Sequence, residues 1–470
     1  MTLGGVPSFS QLDEHASGGD EHAGRGTTAS AKSAPLRIAP IYKRLPHGPH
    51  RLARNEVIQN QRARIHGAMI ESIVQYGYKK TSVKRVVALA GVSRRSFYEL
   101  FANKEQCFLT SLDLIAARAV KRTNEAYRAA DGDLEHRLRA AFEQFIQEVA
   151  GDDSKGASLV IVEAPAVGAA GMLHLCRATG AFERMLLSSF ENAREEGRAG
   201  ALPLPIVRGI VGGLHEVISV HLRTNRAKEI PALTEEMLRW TLLFGACAPE
   251  DMAVRLSERA RVNIRSTTND GQLDADTSPD VRERLLESAL RLTVIENHEE
   301  LSAAQIADEA DVSIDSFFEL FEHQQECVTA AFNAMGDELL QITADPELVG
   351  QDWPRAVRRT IGALMHHLAA HPFHARMIAT GVYAAGPDAI ERNYELAHEI
   401  ATLLTEGSPE MANDAFIVES VAGAIWHTVR CQVAGEQISL LPALTDYLAY
   451  VVLAPLIGAE AAAEAVTKDD

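Results

Sequence analysis

The sequence predicts an all-α chain of two tandem units, each a three-helix head followed by a helical-bundle body. Two observations carry this prediction. Apolar residues recur at three- and four-residue spacing along most of the chain, with no convincing alternating stretch for a strand. Arg62–Phe108 also pairs without a gap with Arg282–Val328, at a constant offset of 220 residues. The match is plainest in Gly91-Val-Ser-Arg-Arg-Ser-Phe-Tyr-Glu-Leu-Phe101 against Asp311-Val-Ser-Ile-Asp-Ser-Phe-Phe-Glu-Leu-Phe321.

A chain of 470 residues is too long for one core, and 46% apolar with 23% charged residues is the balance of a globular protein. No run of eighteen uncharged apolar residues and no charged-then-apolar leader occurs, so neither a membrane span nor secretion is expected and the cytoplasm is the expected location. The five cysteines, Cys107, Cys176, Cys247, Cys327 and Cys431, lie far apart without a CxxC pair, which argues against a disulfide framework or a structural zinc site. Cys107 and Cys327 hold equivalent repeat positions within apolar helical patterns and read as small buried hydrophobes.

Residues 1–50 form an N-terminal arm, rich in Gly, Ser, Ala and Thr at first and expected to be disordered. From Arg37 to Arg64 it turns basic, with only Glu56 opposing, and such an arm either lies along phosphates or merely solubilises. The first head spans 51–108. Ile65, Met69, Ile70, Ile73 and Val74 make the stripe of a first helix stopped by Gly77. Thr81 or Ser82 caps a short second helix with Val83, Val86, Val87 and Ala90 inward. Gly91 turns the chain, Ser93 caps a third helix, and Phe97, Leu100 and Phe101 anchor it. That pattern is a helix-turn-helix.

The first body, 109–262, reads as helices over about 104–130, 134–149, 157–167, 172–196, 205–224 and 231–243. A polar linker, 263–280, leads to a second head at 281–328 and a second body at 329–460. Gly209, Gly212 and Gly213 fall inside a helical stretch and indicate close helix packing.

The two heads differ in charge. Arg62–Phe108 holds nine basic and three acidic residues, a balance of +6, whereas Arg282–Val328 holds three and twelve, a balance of −9. Affinity for nucleic acid is mostly phosphate neutralisation, so the first copy suits a duplex and the second is repelled by one. The net −18 of the chain hides this local basic head.

Tyr76-Gly-Tyr78, Thr81-Ser82, Ala90-Gly-Val-Ser-Arg-Arg-Ser-Phe-Tyr98, Phe101 and Lys104-Glu105 together resemble the TetR family of bacterial transcription regulators. The resemblance covers about fifty residues strongly in the first copy, a similar length weakly in the second, and the bodies in outline. It implies that the third helix enters the major groove with Arg94, Arg95 and Ser96 leading, since an arginine can fork onto a guanine. Tyr98 and Lys104 look like the family's phosphate contacts, as does the N-terminus of helix two at Thr81 and Ser82. Arg51, Arg54, Lys84 and Ser93 complete the expected DNA-binding set. In the second copy Arg94 is replaced by Ile314, Arg95 by Asp315, Tyr98 by Phe318 and Lys104 by Gln324, while Phe317 and Phe321 persist.

The resemblance further implies bodies that bind a small apolar or amphipathic effector and pack as subunits do, here as an internal pseudo-dimer, with two chains meeting as a homodimer on the operator. By residue type, Phe182, His215 and Trp240 are the candidate pocket residues of the first body, and Tyr383 and Trp426 those of the second. The run His366-His367-x3-His371-x2-His374 invites a metal, but Pro372 interrupts the helix and no HExxH motif accompanies it, so no metal and no cofactor is expected. The expected function is a sequence-specific, effector-responsive repressor and not an enzyme. Two alternatives stay open: a protein-interaction adaptor using the acidic second head, and, more distantly, a metal-dependent hydrolase.

Overall fold

The computed structural model describes residues 54–151, 155–195, 202–245, 256–257, 260, 280–296, 301–350, 352–408 and 414–467. Arg51, the arm before it and nearly all of the linker lie outside these residues. Every regular element among the described residues is helical.

The first head consists of α1 (Arg54–Lys80), α2 (Val83–Ala90) and α3 (Arg94–Leu100). The basic stretch from Arg54 to Arg64, expected as part of an arm, is the opening of α1. Gly77 breaks that helix with φ 73°, a conformation open to glycine. The Ser82 hydroxyl caps α2 by accepting from Arg85 N–H at 3.3 Å, and Gly91 closes it at φ 61°. Ser93 caps α3 by accepting from Ser96 N–H at 2.9 Å. Phe97 and Phe101 are buried against Ile65, Met69 and Val86, and this burial holds three short helices together. Val74, expected in the apolar stripe, is 46% exposed because nothing covers that side of the last turn before the kink.

The same geometry recurs in α10 (Val281–Glu296), α11 (Ala303–Glu309) and α12 (Ile314–Leu320). Ser313 accepts from Ser316 N–H at 3.1 Å, and Asp311 stands where Gly91 stood, at φ 53°. Arg64 donates to the carbonyls of Ala90 and Gly91, the latter at 2.7 Å, and Arg284 to that of Asp311 at 3.4 Å. Arg62 lies over the Phe101 ring at 5.8 Å, and Arg282 over Phe321 at 5.9 Å. Packing and bracing thus coincide where the surface charges oppose.

The first body comprises α4 (Lys104–Ala129), α5 (Leu134–Ala150), α6 (Lys155–Ile161), α7 (Ala169–Glu195), α8 (Leu204–Arg223) and α9 (Thr234–Leu243), with 3-10 turns at Pro165–Val167 and Ala227–Leu233. The helix expected over 157–167 is broken. It stops at Ile161 because Pro165 cannot continue the hydrogen-bond ladder, and Gly168 at φ 78° redirects the chain into α7.

The second body comprises α13 (Gln324–Thr343), α14 (Trp353–Ala370), α15 (Pro372–Arg376), α16 (Val382–Ala385), α17 (Pro387–Thr405), α18 (Ala415–Ala434), α19 (Thr445–Ile457) and α20 (Ala459–Thr467). A π turn fills Met377–Gly381, and 3-10 turns fill Pro346–Val349 and Ile438–Leu444.

The bodies meet along α8 and α18, which cross at two glycines. A Cβ on Gly212 would sit 2.7 Å from His427 Cβ and 2.8 Å from the Gly423 carbonyl oxygen, and one on Gly423 would sit 2.5 Å from the Gly212 carbonyl oxygen. Gly209 likewise admits Val451 of α19. The contact is reciprocal, each glycine receiving the opposite helix. Ile438–Ile457 is long and apolar enough to cross a membrane by composition, yet 78% of it is buried inside this seam and the second body. Its Asp446 is neutralised by Arg358 at 2.6 Å.

Candidate nucleic-acid interface

The leading turn of α3 projects from a buried base. Phe97 is fully buried, so its neighbours on either side face outward: Arg94 and Arg95 are exposed and Tyr98 is 50% exposed. Arg95 pairs with Glu99 at 3.0 Å, but both side chains stand in solvent and such a pair is weak, so the guanidinium can exchange it for a guanine edge or a phosphate. The Tyr98 ring rests edge-on against Phe97 at 5.4 Å, which sets its direction. Ser93 and Ser96 hydroxyls lie 2.9 Å apart and are engaged in capping α3.

Lys104 opens α4 beside this face. Its ammonium donates to the Tyr78 carbonyl at 3.1 Å and sits 4.0 Å over the Tyr78 ring, which holds the long side chain in place. Lys84 and Ser82 are exposed at the start of α2, and Arg54 is exposed at the start of α1. Thr81 is different from expectation: it is buried, and its hydroxyl donates to the carbonyls of Ser72 at 3.1 Å and Gly77 at 2.8 Å. Its side chain fastens the kink, and its N–H donates to the Tyr78 carbonyl at 3.2 Å. Arg85, which the sequence reading left out of the site, donates to Lys80 carbonyl at 2.7 Å with its guanidinium 3.8 Å over Tyr76.

On α12 the matching positions are Ile314 at 40% exposure, Phe318 at 55% and an exposed Asp315. Residues 67–110 match the family model described as bacterial regulatory proteins, tetR family. The match spans the second half of α1, α2, α3 and the opening of α4, so the first head resembles the DNA-binding module of that family. Among solved structures, the fatty acid degradation regulator FadR from Bacillus halodurans is 20% identical, covering 38% of this chain and 96% of that one, with a TM-score of 0.35. The transcriptional regulator FadR from Bacillus subtilis, solved in complex with stearoyl-CoA, is 18% identical with the same coverages and TM-score 0.35. Comparison with curated proteins finds no match.

Below the first head, the first body holds a partly open cavity of about 110 Å³ between α4, α5, α6, α7 and α8. Phe142, Phe145, Phe182, Leu214 and Met237 give it apolar walls. Its polar lining includes His215, whose two ring nitrogens lack hydrogen-bond partners and whose burial, with His427 nearby, keeps it neutral. Glu148, also on the lining, is held by Arg118 at 3.2 Å and Arg122 at 2.8 Å. Of the residues suggested for a pocket, Phe182 and His215 lie here. Trp240, named for the same body, is buried outside the lining and donates to the Ile210 carbonyl at 3.3 Å, while Tyr383 and Trp426, named for the second body, are buried there, Tyr383 meeting the Tyr394 hydroxyl at 3.3 Å.

The cavity is wired to the head. Ala157, Val160 and Ile161 of α6 line it, and two residues beyond, the Glu163 carboxylate accepts from Tyr78 N–H at 2.9 Å. Lys155, at the other end of α6, pairs with Glu71 of α1 at 2.9 Å. No sequence signal reports these contacts, which join residues more than eighty positions apart.

Proposed function

We propose that the chain is a sequence-specific, effector-responsive repressor that reads its operator with the first head alone. One observation carries this reading: the two third helices share capping, turn and packing, yet α3 presents Arg94, Arg95 and Tyr98 where α12 presents Ile314, Asp315 and Phe318. A fold kept without its cationic face has kept its stability and lost its phosphate contacts.

The reciprocal glycine crossing of α8 and α18 supports an internal pseudo-dimer, which leaves one working head per chain. A palindrome demands two heads about 34 Å apart, so two chains meet on it. An apolar or amphipathic effector in the cavity would press on α6 and, through Glu163 and Lys155, move α1 and the head. That displacement lowers operator affinity by favouring one of two head positions.

Salt-dependent titration of a random duplex and a selected operator pool tests the reading, with the mass of the complex measured alongside. Tight, steeply salt-dependent binding by the intact chain, lost in the Arg94→Ala/Arg95→Ala double variant, is expected. Equal losses from Ile314→Ala would overturn the one-head reading. A second reading, a protein-docking face, rests on the exposed Ile314, Phe318 and Leu320 of the acidic head; a partner retained by an Asp315→Arg variant would sink it.

A further inference from the structure

Three donor atoms converge where α7 of the first body meets α18 of the second, and a fourth, Cys176 Sγ, lies against one of them. Cys176 and Glu183 come from α7, and His427 and Cys431, one turn apart, from α18. Cys431 Sγ lies 3.1 Å from Cys176 Sγ and 3.4 Å from His427 Nε2, and His427 Nε2 lies 3.6 Å from Glu183 Oε1. The donor atoms of Glu183, His427 and Cys431 all fall within 4.8 Å of one another. Both cysteines are free.

These separations have a chemical meaning. Tetrahedral zinc takes thiolate sulfur at about 2.3 Å and imidazole nitrogen or carboxylate oxygen at about 2.0–2.2 Å, which puts neighbouring ligand atoms roughly 3.3–3.8 Å apart. The S–N and N–O separations fit that figure as they stand, while the S–S separation of 3.1 Å must open by about 0.7 Å, with Cys176 turning toward the other donors. Two sulfurs, one imidazole and one carboxylate also form a donor set that favours zinc over magnesium or calcium.

Burial sharpens the case. His427 and Glu183 are 2% and 4% exposed, so an ion held by them would be shielded from water, and each now relies on the other at 3.6 Å.

We infer that Cys176, Glu183, His427 and Cys431 form a binding site for a thiophilic divalent cation of the zinc class, bridging the two bodies. The ion fastens α7 to α18 next to the effector cavity. Thr179 and Phe182 of α7 line that cavity, and His215 on its wall stacks on His427 at 5.9 Å. Occupancy of the site is thereby felt at the cavity wall.

A second histidine cluster must be told apart from it. His367 Nε2 lies 3.0 Å from His374 Nδ1, His371 stacks on His367 at 4.4 Å, and Glu338 approaches His367 at 3.7 Å. Pro372 does end α14, as its ring requires, but the break folds His374 back over His367. This cluster has no sulfur and a half-exposed carboxylate, so it is the weaker claimant for a thiophilic ion.

The test uses the full-length chain, purified under reductant and given zinc alone, then desalted against a weak chelator for elemental analysis. One zinc per chain is expected. Cobalt in its place should show a near-ultraviolet thiolate-to-metal band and the visible bands of a tetrahedral site, a readout needing no variant. Cys431→Ser and Cys176→Ser should each weaken zinc binding at least about a hundredfold, since even losses of supporting partners cost 10–100-fold, while His367→Gln should leave it unchanged. Three results would each overturn the inference: no metal retained by the intact chain, metal lost in His367→Gln but kept in Cys431→Ser, or an intact mass two hydrogens lighter with Cys176 and Cys431 joined as a disulfide.

Discussion

Replacing Gly212 with alanine puts the seam between the bodies to a quantitative test. The new methyl carbon would stand 2.7 Å from His427 Cβ and 2.8 Å from the Gly423 carbonyl oxygen, about 1 Å inside ordinary contact. Neither neighbour can yield cheaply. His427 is buried and held by Cys431 and Glu183, and the oxygen belongs to a helix backbone. Two effects oppose each other. Alanine in a helix interior is better than glycine by about 1 kcal/mol, whereas overpacking a tight contact costs about 1–3 kcal/mol. The clash should win, leaving a net loss of up to about 2 kcal/mol. Gly180→Ala in α7 is the matched control, because its Cβ would meet only the mobile end of Arg184 at 3.6 Å and should stabilise by about 0.5–1 kcal/mol. Equilibrium urea denaturation followed by tryptophan fluorescence suits both variants, since Trp426 is buried on α18 and Trp240 of α9 is buried against Gly213 of α8. If Gly212→Ala gains stability as Gly180→Ala does, the two helices are not in the contact described and the pseudo-dimer loses its support.

Other outcomes are expected together. Lys104→Ala should weaken operator and random duplex by the same factor in anisotropy titrations, and selectivity in its effect would remove Lys104 from the phosphate contacts. Glu163→Ala removes a charge-assisted bond worth about 1.5–3 kcal/mol and should speed hydrogen exchange at residues 77–81; unchanged exchange would refute the link between cavity and head. Burial, with Arg62 beside it, holds His66 down at about 4, against 6.5 for the unfolded chain. Its contribution is whole above pH 6.5, falls as pH drops toward 4, and amounts to about 3 kcal/mol. Stability curves at several pH values should therefore slope more steeply for the wild type than for His66→Gln, and parallel curves would contradict the assignment. Asp311→Gly should raise the stability of the second head by about 1 kcal/mol, because aspartate there adopts a left-handed conformation that glycine takes freely.

The heads were legible because their determinants are local. A capping serine, a turn at φ 61° and a buried Phe97 lie within a few residues of one another, and each has a sequence signature. The seam was half legible, since Gly209, Gly212 and Gly213 announced close packing without naming the partner. Thr81 was misjudged because a threonine before a helix can cap it or brace the preceding turn, and only the kink at Gly77 decides. The break of α6 at Ile161 was missed although Pro165 signalled it. The Tyr78–Glu163 bond and the meeting of Cys176 with Cys431 depend on how distant helices cross, and spacing along the chain carries no trace of that angle.

The crossing of α8 and α18 also sets a schedule for synthesis. The roughly 200 residues from Arg223 to Ala434 take about 10–40 s to translate at about 5–20 residues per second. Throughout that interval the face of α8 carrying Gly209, Gly212 and Gly213 has been made while its cover, α18, has not. Neighbouring ribosomes on one messenger bring identical uncovered faces together, and the first α18 to emerge can land on either. Swapped pairs of chains are thus the characteristic misassembly of this architecture, and the delay between the two halves governs how often they form.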